Sequence, residues 1–446
     1  MSNKRSRTRT RTRTRRQFLQ HSLAVGGATV LTTGFWSERL PAKSKSPNEL
    51  LNIGIIGSGG RGRASLEACS GENLVALCDV DEVALGKAIG DFAPDAREYV
   101  DFRKLLDEGK DLDAVCISTP EHTHAVAALP AIRMGKHVYL EKPLAHSVYE
   151  TRLIREAAAK HKVATQMGTQ IHASDNYRRI VELVQSGAVG NVSECHVWVE
   201  RDWGGGSRPT TEDPIPKTLH WDLWLGPAPR RPFSNAYIPG PKWYEFWDFG
   251  NGVMPDLGSH WNDLPFWALK LGIPRTIEAE GPPVSPETAP KWLIAHWDFP
   301  ARENLPPVKL HWYHGGKQPA LLAEKKLPAW KNGVLFVGEG GRILLADYQK
   351  YKLFPEDPFK DFKAPPKTIP DNPAGHWAEW IAACKTGSPT LCNFDYSGNL
   401  TESNLLGNVA YRVGKKLEWD PVALRATNCP EADKLVKPEM HNGYTL

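Results

Sequence analysis

The chain has 446 residues, 41% of them hydrophobic and 24% charged, enough for two folded domains with sizeable cores. Its formal net charge of +4 hides an asymmetry: residues 1–45 hold eleven basic residues and one acid, a local +10 that leaves −6 for the remainder. A body of that sign has no general attraction for nucleic acid, so no nucleic-acid partner is expected.

The N-terminal Arg-Thr run leads into Thr14-Arg15-Arg16-Gln17-Phe18-Leu19-Gln20 and then a weakly apolar stretch from Ser22 to Trp36. Paired arginines, Phe-Leu and a short apolar segment have the form of a twin-arginine export signal, which implies the export machinery as a partner and a periplasmic or otherwise extracytoplasmic location. The stretch is short for a membrane span. Leu40-Pro41-Ala42 is a poor cleavage site, and an uncleaved signal would remain as an anchor. Seven cysteines form no C-x-x-C pair, so the spacing predicts neither a zinc site nor a disulfide framework, and the odd count leaves at least one free thiol.

Residues 1–45 are thus signal and linker, and a polar linker runs on through 41–49. From residue 50 to 169, strand-length apolar runs (Leu51–Ile56, Leu74–Cys78, Ala114–Ile117, His137–Leu140, Val163–Met167) alternate with helical patterns. That alternation predicts βαβ units and a parallel sheet, an α/β Rossmann domain. From 170 to 446 the texture changes. A helix is expected over 176–187 and a strand over Ser193–Glu200. A loop-like Pro/Gly/Trp-rich segment then runs from Trp203 to Pro241. Further strands are expected at Thr276–Glu280, Trp292–Asp298, Lys309–Tyr313, Gly333–Val337 and Gly341–Ala346, with helices at His376–Lys385 and Tyr396–Gly414 closing the domain. This reads as an α+β domain with a large, mostly antiparallel open sheet.

Four motifs carry chemistry. Gly57-Ser58-Gly59-Gly60-Arg61-Gly62 follows a strand-like run and precedes a helix-like one, Arg63–Ser70. Glycines there allow a tight turn and a close approach of backbone to a pyrophosphate at a helix N-terminus. Asp79, ending the next apolar run, is placed to accept from ribose hydroxyls, and its charge favours NAD over NADP. The second motif, Ser118-Thr119-Pro120-Glu121-His122-Thr123-His124, lies where Pro120 stops a strand, at the edge where open α/β sheets bind ligands. The third, Glu141-Lys142-Pro143, is again a strand cut by proline. In the fourth, Asp256 and His260 are four residues apart and share a face if helical, so the carboxylate can orient the ring and raise its basicity. No third ligand accompanies that pair, so no metal is expected there.

Together and in this order the motifs resemble the glucose–fructose oxidoreductase / inositol dehydrogenase / rhizopine catabolism family. So do Tyr177–Leu183 with Gly187 and Gly190, Trp221–Pro227 and Leu405–Ala410, a resemblance covering about residues 50–420. The resemblance implies Lys142, Asp256 and His260 as the catalytic set. It implies a cofactor site made of Gly57, Ser58, Gly59, Gly60, Arg61, Gly62, Asp79, Ser118, Thr119, Pro120, His124, Glu141 and Lys142. It also implies a cis Lys142–Pro143 peptide and a homo-oligomer. Two features depart from the family pattern. Pro130 falls inside an expected helix, which it should kink or break. The aromatic run Trp243–Trp247 is either a sugar-stacking surface or core.

The implied activity is hydride transfer between NAD(H) and a CH–OH group of a sugar, polyol or sugar derivative. Free NAD is scarce outside the cytoplasm, so an exported enzyme gains from holding its cofactor tightly. Two rivals remain at this stage. One is an NAD-dependent glycoside hydrolase or lyase that oxidises transiently with no net redox change. The other is a non-catalytic sugar-binding protein on a dehydrogenase fold.

Overall fold

The structure, a computed structural model, describes residues 49–446. The expected export signal and nearly all of the linker lie outside the described residues. The five expected parallel strands are present as β1 (Asn52–Ile56), β2 (Asn73–Cys78), β4 (Ala114–Ile117), β5 (His137–Leu140) and β6 (Thr165–Met167), with a sixth, β3 (Arg97–Tyr99), at one edge. β3 was not expected because two of its three residues are exposed and it carries no apolar run. All neighbours pair parallel in the order β3-β2-β1-β4-β5-β6. The order reverses between β1 and β4, which opens a crevice beyond their C-terminal ends.

The second sheet has nine strands. They are β7 (Glu194–Val199), β8 (Thr276–Glu280), β9 (Leu293–Phe299), β10 (Val308–His314), β11 (Gly333–Val337), β12 (Ile343–Ala346), β13 (Tyr351–Phe354), β14 (Leu417–Asp420) and β15 (Arg425–Ala426), in the order β13-β12-β11-β7-β10-β9-β8-β14-β15. Every neighbouring pair runs antiparallel except β7 with β10. β9 and β10 alternate buried and less buried residues, the period of a sheet with one packed face. That face is covered by the helix Phe394–Val413, fifteen of whose twenty residues are buried. Gly407 lets it come close: a Cβ there would lie 2.6 Å from the Met254 methyl and 2.9 Å from Trp297. The same helix packs on helices Val148–His161 and Val253–Trp261, so one apolar core runs from the parallel sheet to the nine-stranded sheet. On the outer face, Trp198, Leu335 and Leu345 are covered by the chain's own Leu322 and Leu327.

Two expectations need correction. The helix Gly375–Thr386 belongs to the layer around the parallel sheet: its Trp380 and Cys384 are buried with Leu51, Ile53, Leu66 and Tyr139. Pro130 does not break its helix, which runs from His124 to Arg133 with eight of ten residues buried. The lost hydrogen bond falls near the end of a short element whose burial on nearly every side holds it in place. All seven cysteines are buried free thiols. Among the described residues, no helix is long and apolar enough to cross a membrane.

Candidate active site

The glycine-rich turn sits at the reversal point of the parallel sheet, between the end of β1 and the helix Gly62–Cys69. Gly57 has φ +81°, and a Cβ on it would lie 2.9 Å from the Ser118 carbonyl, so the turn and the loop after β4 close on each other only through glycine. Gly62 is tighter still, because a Cβ would meet the Gly57 carbonyl oxygen at 1.8 Å. Gly60, by contrast, faces open space. Asp79 accepts from the Gly59 N–H at 2.8 Å and from the Asp81 N–H at 3.0 Å. Burial pushes its carboxyl up and those backbone donors pull it down. Asp79 therefore shapes the loop directly, and each oxygen keeps a further lone pair for a ribose hydroxyl. Thr119 Oγ1 is buried with no partner among the described residues, an orphaned polar atom at the strand edge. An orphan there, a glycine facing open space and an acid at the end of β2 fit a dinucleotide.

Lys142 follows β5 and is joined to Pro143 by a cis peptide. Its Nζ donates to Asp256 Oδ1, an ion pair whose carboxylate is 1% exposed. Asp256 is held by the helix Val253–Trp261, so the pair ties the two expected catalytic elements together. His260 lies one turn further on. Its ring is held well below the usual histidine range by burial first and then by the Lys142 charge, and its Nδ1 has no partner among the described residues. The expected orientation of His260 by Asp256 is therefore corrected. The carboxylate is turned to Lys142, and the histidine's basicity is lowered rather than raised because it feels burial and a cation.

Around this pair stand groups the motif reading passed over. Glu121 is 1% exposed and accepts from the Asn251 N–H at 3.2 Å and from Asn251 Nδ2 at 2.8 Å. Burial raises its pKa to about 8, helped by the Asp256 charge and opposed by Asn251 and Lys142. Tyr244 stacks on Trp243 and Trp203, with ring centres 3.8 and 5.5 Å apart, and its phenol is pushed up by burial and by the charges of Asp256, Glu121 and Glu141. Of the aromatic run, Phe246 and Trp247 are core, whereas Trp243 and Tyr244 are only half-buried. Glu121 lies inside the second motif and was legible as a polar residue there. Tyr244 had only its aromatic neighbours as a signal.

Other expected cofactor residues fall into two groups. Arg61 reaches over the turn to Glu141 at 2.9 Å and lies 5.5 Å from the Trp377 ring centre. Gly168 leaves room for Glu141, since a Cβ would lie 2.5 Å from its Oε2. Ser118 hydroxyl contacts Ser65 at 3.2 Å, and the Pro120 carbonyl accepts from Thr123. His124 is different. Its Nδ1 is 2.8 Å from the Pro143 carbonyl and its Nε2 2.9 Å from the Thr119 carbonyl, so the neutral ring donates to one of them and faces the other. It bridges the loops after β4 and β5.

A cleft of about 460 Å³ runs along the helix that carries Asp256 and His260. It is lined by Leu257, Trp261, Tyr348, Arg201, Trp330 and Lys350, among others. Tyr348 stacks on Trp261 with ring centres 3.9 Å apart. Arg201 has no carboxylate partner among the described residues and lies 5.8 Å from the Trp203 ring centre. A separate cavity of about 250 Å³ lies behind His122 and His146, and neither it nor the cleft is lined by Lys142, Asp256 or His260.

Residues 51–169 match the oxidoreductase family's NAD-binding Rossmann fold, and residues 176–297 match its C-terminal alpha/beta domain. The chain belongs to the glucose–fructose oxidoreductase / inositol dehydrogenase / rhizopine catabolism family. It is similar to the inositol 2-dehydrogenase of Serratia proteamaculans, 33% identical over 39% of this chain and 54% of the relative. A similar protein from Burkholderia multivorans is 34% identical over the same shares. The chain thus spans about half the length of the curated relatives it matches. Among solved folds it resembles the WlbA dehydrogenase from Bordetella pertussis, in complex with NADH and UDP-GlcNAcA. That likeness has a TM-score of 0.59 and 16% identity over 83% of this chain and 99% of that one. It also resembles GenD2 from gentamicin A biosynthesis, in complex with NAD, with a TM-score of 0.57 and 18% identity over 85% and 99%. In the family's terms, the first sheet is the NAD-binding Rossmann domain.

Proposed function

We propose that this protein is an NAD-dependent oxidoreductase that acts on a CH–OH group of a sugar, polyol or sugar derivative. The observation that carries the reading is the Lys142–Asp256 ion pair, which sets a cation at the end of β5 beside the nucleotide turn. The turn, Asp79 and Thr119 would hold the dinucleotide, which when bound supplies the hydride-accepting carbon. The chain's own groups handle the proton. Lys142, anchored by Asp256, stabilises the negative charge that develops on the substrate oxygen. The neutral His260 ring, one turn beyond Asp256 on the same helix, would take the hydroxyl proton. Leu257 and Tyr348 line the neighbouring cleft as an apolar wall for a sugar ring, and Arg201 there offers a cation to a polar or anionic substituent.

We further propose that the protein is exported folded with its cofactor already bound, as the twin-arginine pattern of residues 1–45 suggests, and that it works as a homo-oligomer. The test uses protein purified without added nucleotide. It is denatured and the released nucleotide identified. In parallel, the native protein is offered inositols, hexoses and uronates, and oxidised product is measured. NAD(H) in near-equal amount to protein, with an oxidised polyol or sugar, is the expected result. Absence of nucleotide, together with no NAD binding on addition, would remove the basis for the reading.

A further inference from the structure

The register of the nine-stranded sheet sets three histidines side by side. His196 on β7 is opposite His311 on β10, which is opposite His296 on β9. Glu194 lies two residues before His196, on the same face of β7. The His196 and His311 rings stack with centres 4.6 Å apart. Both Nε2 atoms are buried and without a hydrogen-bond partner among the described residues. The Glu194 carboxylate is 3.7 Å from His196 Nε2 and 3.9 Å from His311 Nε2. All three ligand atoms lie within 4.8 Å of one another.

Two buried nitrogens left open toward one carboxylate call for an explanation. The separations are too long for hydrogen bonds. Ligands on one tetrahedral ion, each roughly 2.0–2.2 Å from it, lie roughly 3.3–3.6 Å apart, so a small closure completes the site. The outer nitrogens are already arranged for it. His311 Nδ1 is 2.5 Å from His296 Nδ1, and His196 Nδ1 is 3.2 Å from the Tyr313 hydroxyl. With each Nδ1 carrying the proton and donating outward, each Nε2 lone pair faces Glu194, the arrangement that fixes a metal-ligating imidazole.

We propose that Glu194, His196 and His311 form a site for a divalent transition ion of the zinc class, with water in the fourth position. Two nitrogens and one carboxylate suit such an ion better than magnesium or calcium, which take oxygen ligands. The ion would join β7 to β10, the one parallel pair in an otherwise antiparallel sheet. No spacing in the sequence shows the site, because more than a hundred residues separate His196 from His311 and only strand register unites them.

The test uses full-length, tag-free protein stripped with EDTA, then titrated with Co2+ by visible spectroscopy and with Zn2+ by metal analysis after dialysis. Glu194→Gln and His311→Gln are compared with the parent, and the melting of each metal-free protein checks folding. The expected result is one equivalent bound, a tetrahedral cobalt spectrum without sulfur charge transfer, and at least a roughly tenfold loss of affinity in each folded variant. Glu194 is 43% exposed, so its substitution keeps the test available should His311→Gln fail to fold. No stoichiometric uptake would overturn the proposal. So would uptake unchanged in Glu194→Gln, or a cobalt–sulfur band, which would point to the separate cluster of His172, Asp263 and Cys392.

Discussion

At the scale of single residues, the site is a competition among charges in a buried place. Lys142 serves two groups at once: it neutralises Asp256, which is 1% exposed, and it depresses the protonation of His260. Lys142→Met removes both effects. Turnover on the proposed substrates is expected to fall about 10²–10³-fold, the usual cost of losing one transition-state charge partner. NAD remains bound, because the glycine turn and Asp79 are untouched. The His260 ring should also titrate at higher pH in this variant, since the loss of the cation leaves Asp256 as an uncompensated anion nearby. An NMR titration of the histidines reads that shift. Unchanged turnover, or a His260 that titrates lower, would show that Lys142 does not hold the position given to it here.

At the scale of elements, the sequence was most informative where one element suffices to define a feature. The runs Ile53–Ile56 and Ala114–Ile117 carry no polar side chain because they are buried on both faces, so β1 and β4 could be read directly. β3, β13 and β15 could not, since short edge strands carry exposed residues and no clear period, and β14, though it alternates, is only four residues long. The site was legible in the same uneven way. Spacing put Asp256 and His260 on one helix, but which partner Asp256 chooses depends on how that helix meets β5, a tertiary fact. Tyr348 and Arg201 enter the cleft from strand ends far away in the chain, and no local pattern marks them. The turn between β1 and its helix offers a sharp test of the packing argument. Gly62→Ala places a methyl 1.8 Å from the Gly57 oxygen and is expected to cost about 1–3 kcal/mol and abolish NAD binding. Gly60→Ala meets nothing within 4 Å, and its φ of +47° costs only about 1–2 kcal/mol of backbone strain. Thermal melting and NAD titration of both variants compare them, and equal loss of NAD binding in the two would refute the close-approach explanation.

At the scale of the whole molecule, the many buried ionisable groups should set a pH window for stability. Burial lowers His122 and His376 to about 3 and His124, His146 and His314 to about 4. The folded state therefore favours neutral rings. Their contribution is fully present above the unfolded value near 6.5 and is lost as pH falls through 4 to 3. Glu121 and Glu150 move the other way, raised by burial to about 8 and about 7. The folded state favours their protonated forms, so their contribution is full below about 4.5 and is lost as pH rises through 7 to 8. Between about 4.5 and 6.5 the five histidines outnumber the two acids, and stability climbs with pH. Above 6.5 the histidines no longer change and the acids alone act, so stability declines, by about 1.4 kcal/mol per pH unit for each proton. The melting temperature is thus expected to peak near pH 6.5. Glu121→Gln keeps the side chain's shape while removing its ionisation, so it should flatten the decline between pH 6.5 and 8 and leave the acid side unaltered. Melting curves of parent and variant across pH 4 to 9 decide it. A variant whose decline runs parallel to the parent's would mean that Glu121 ionises freely and that its buried, protonated state beside Asp256 is not a property of the folded protein.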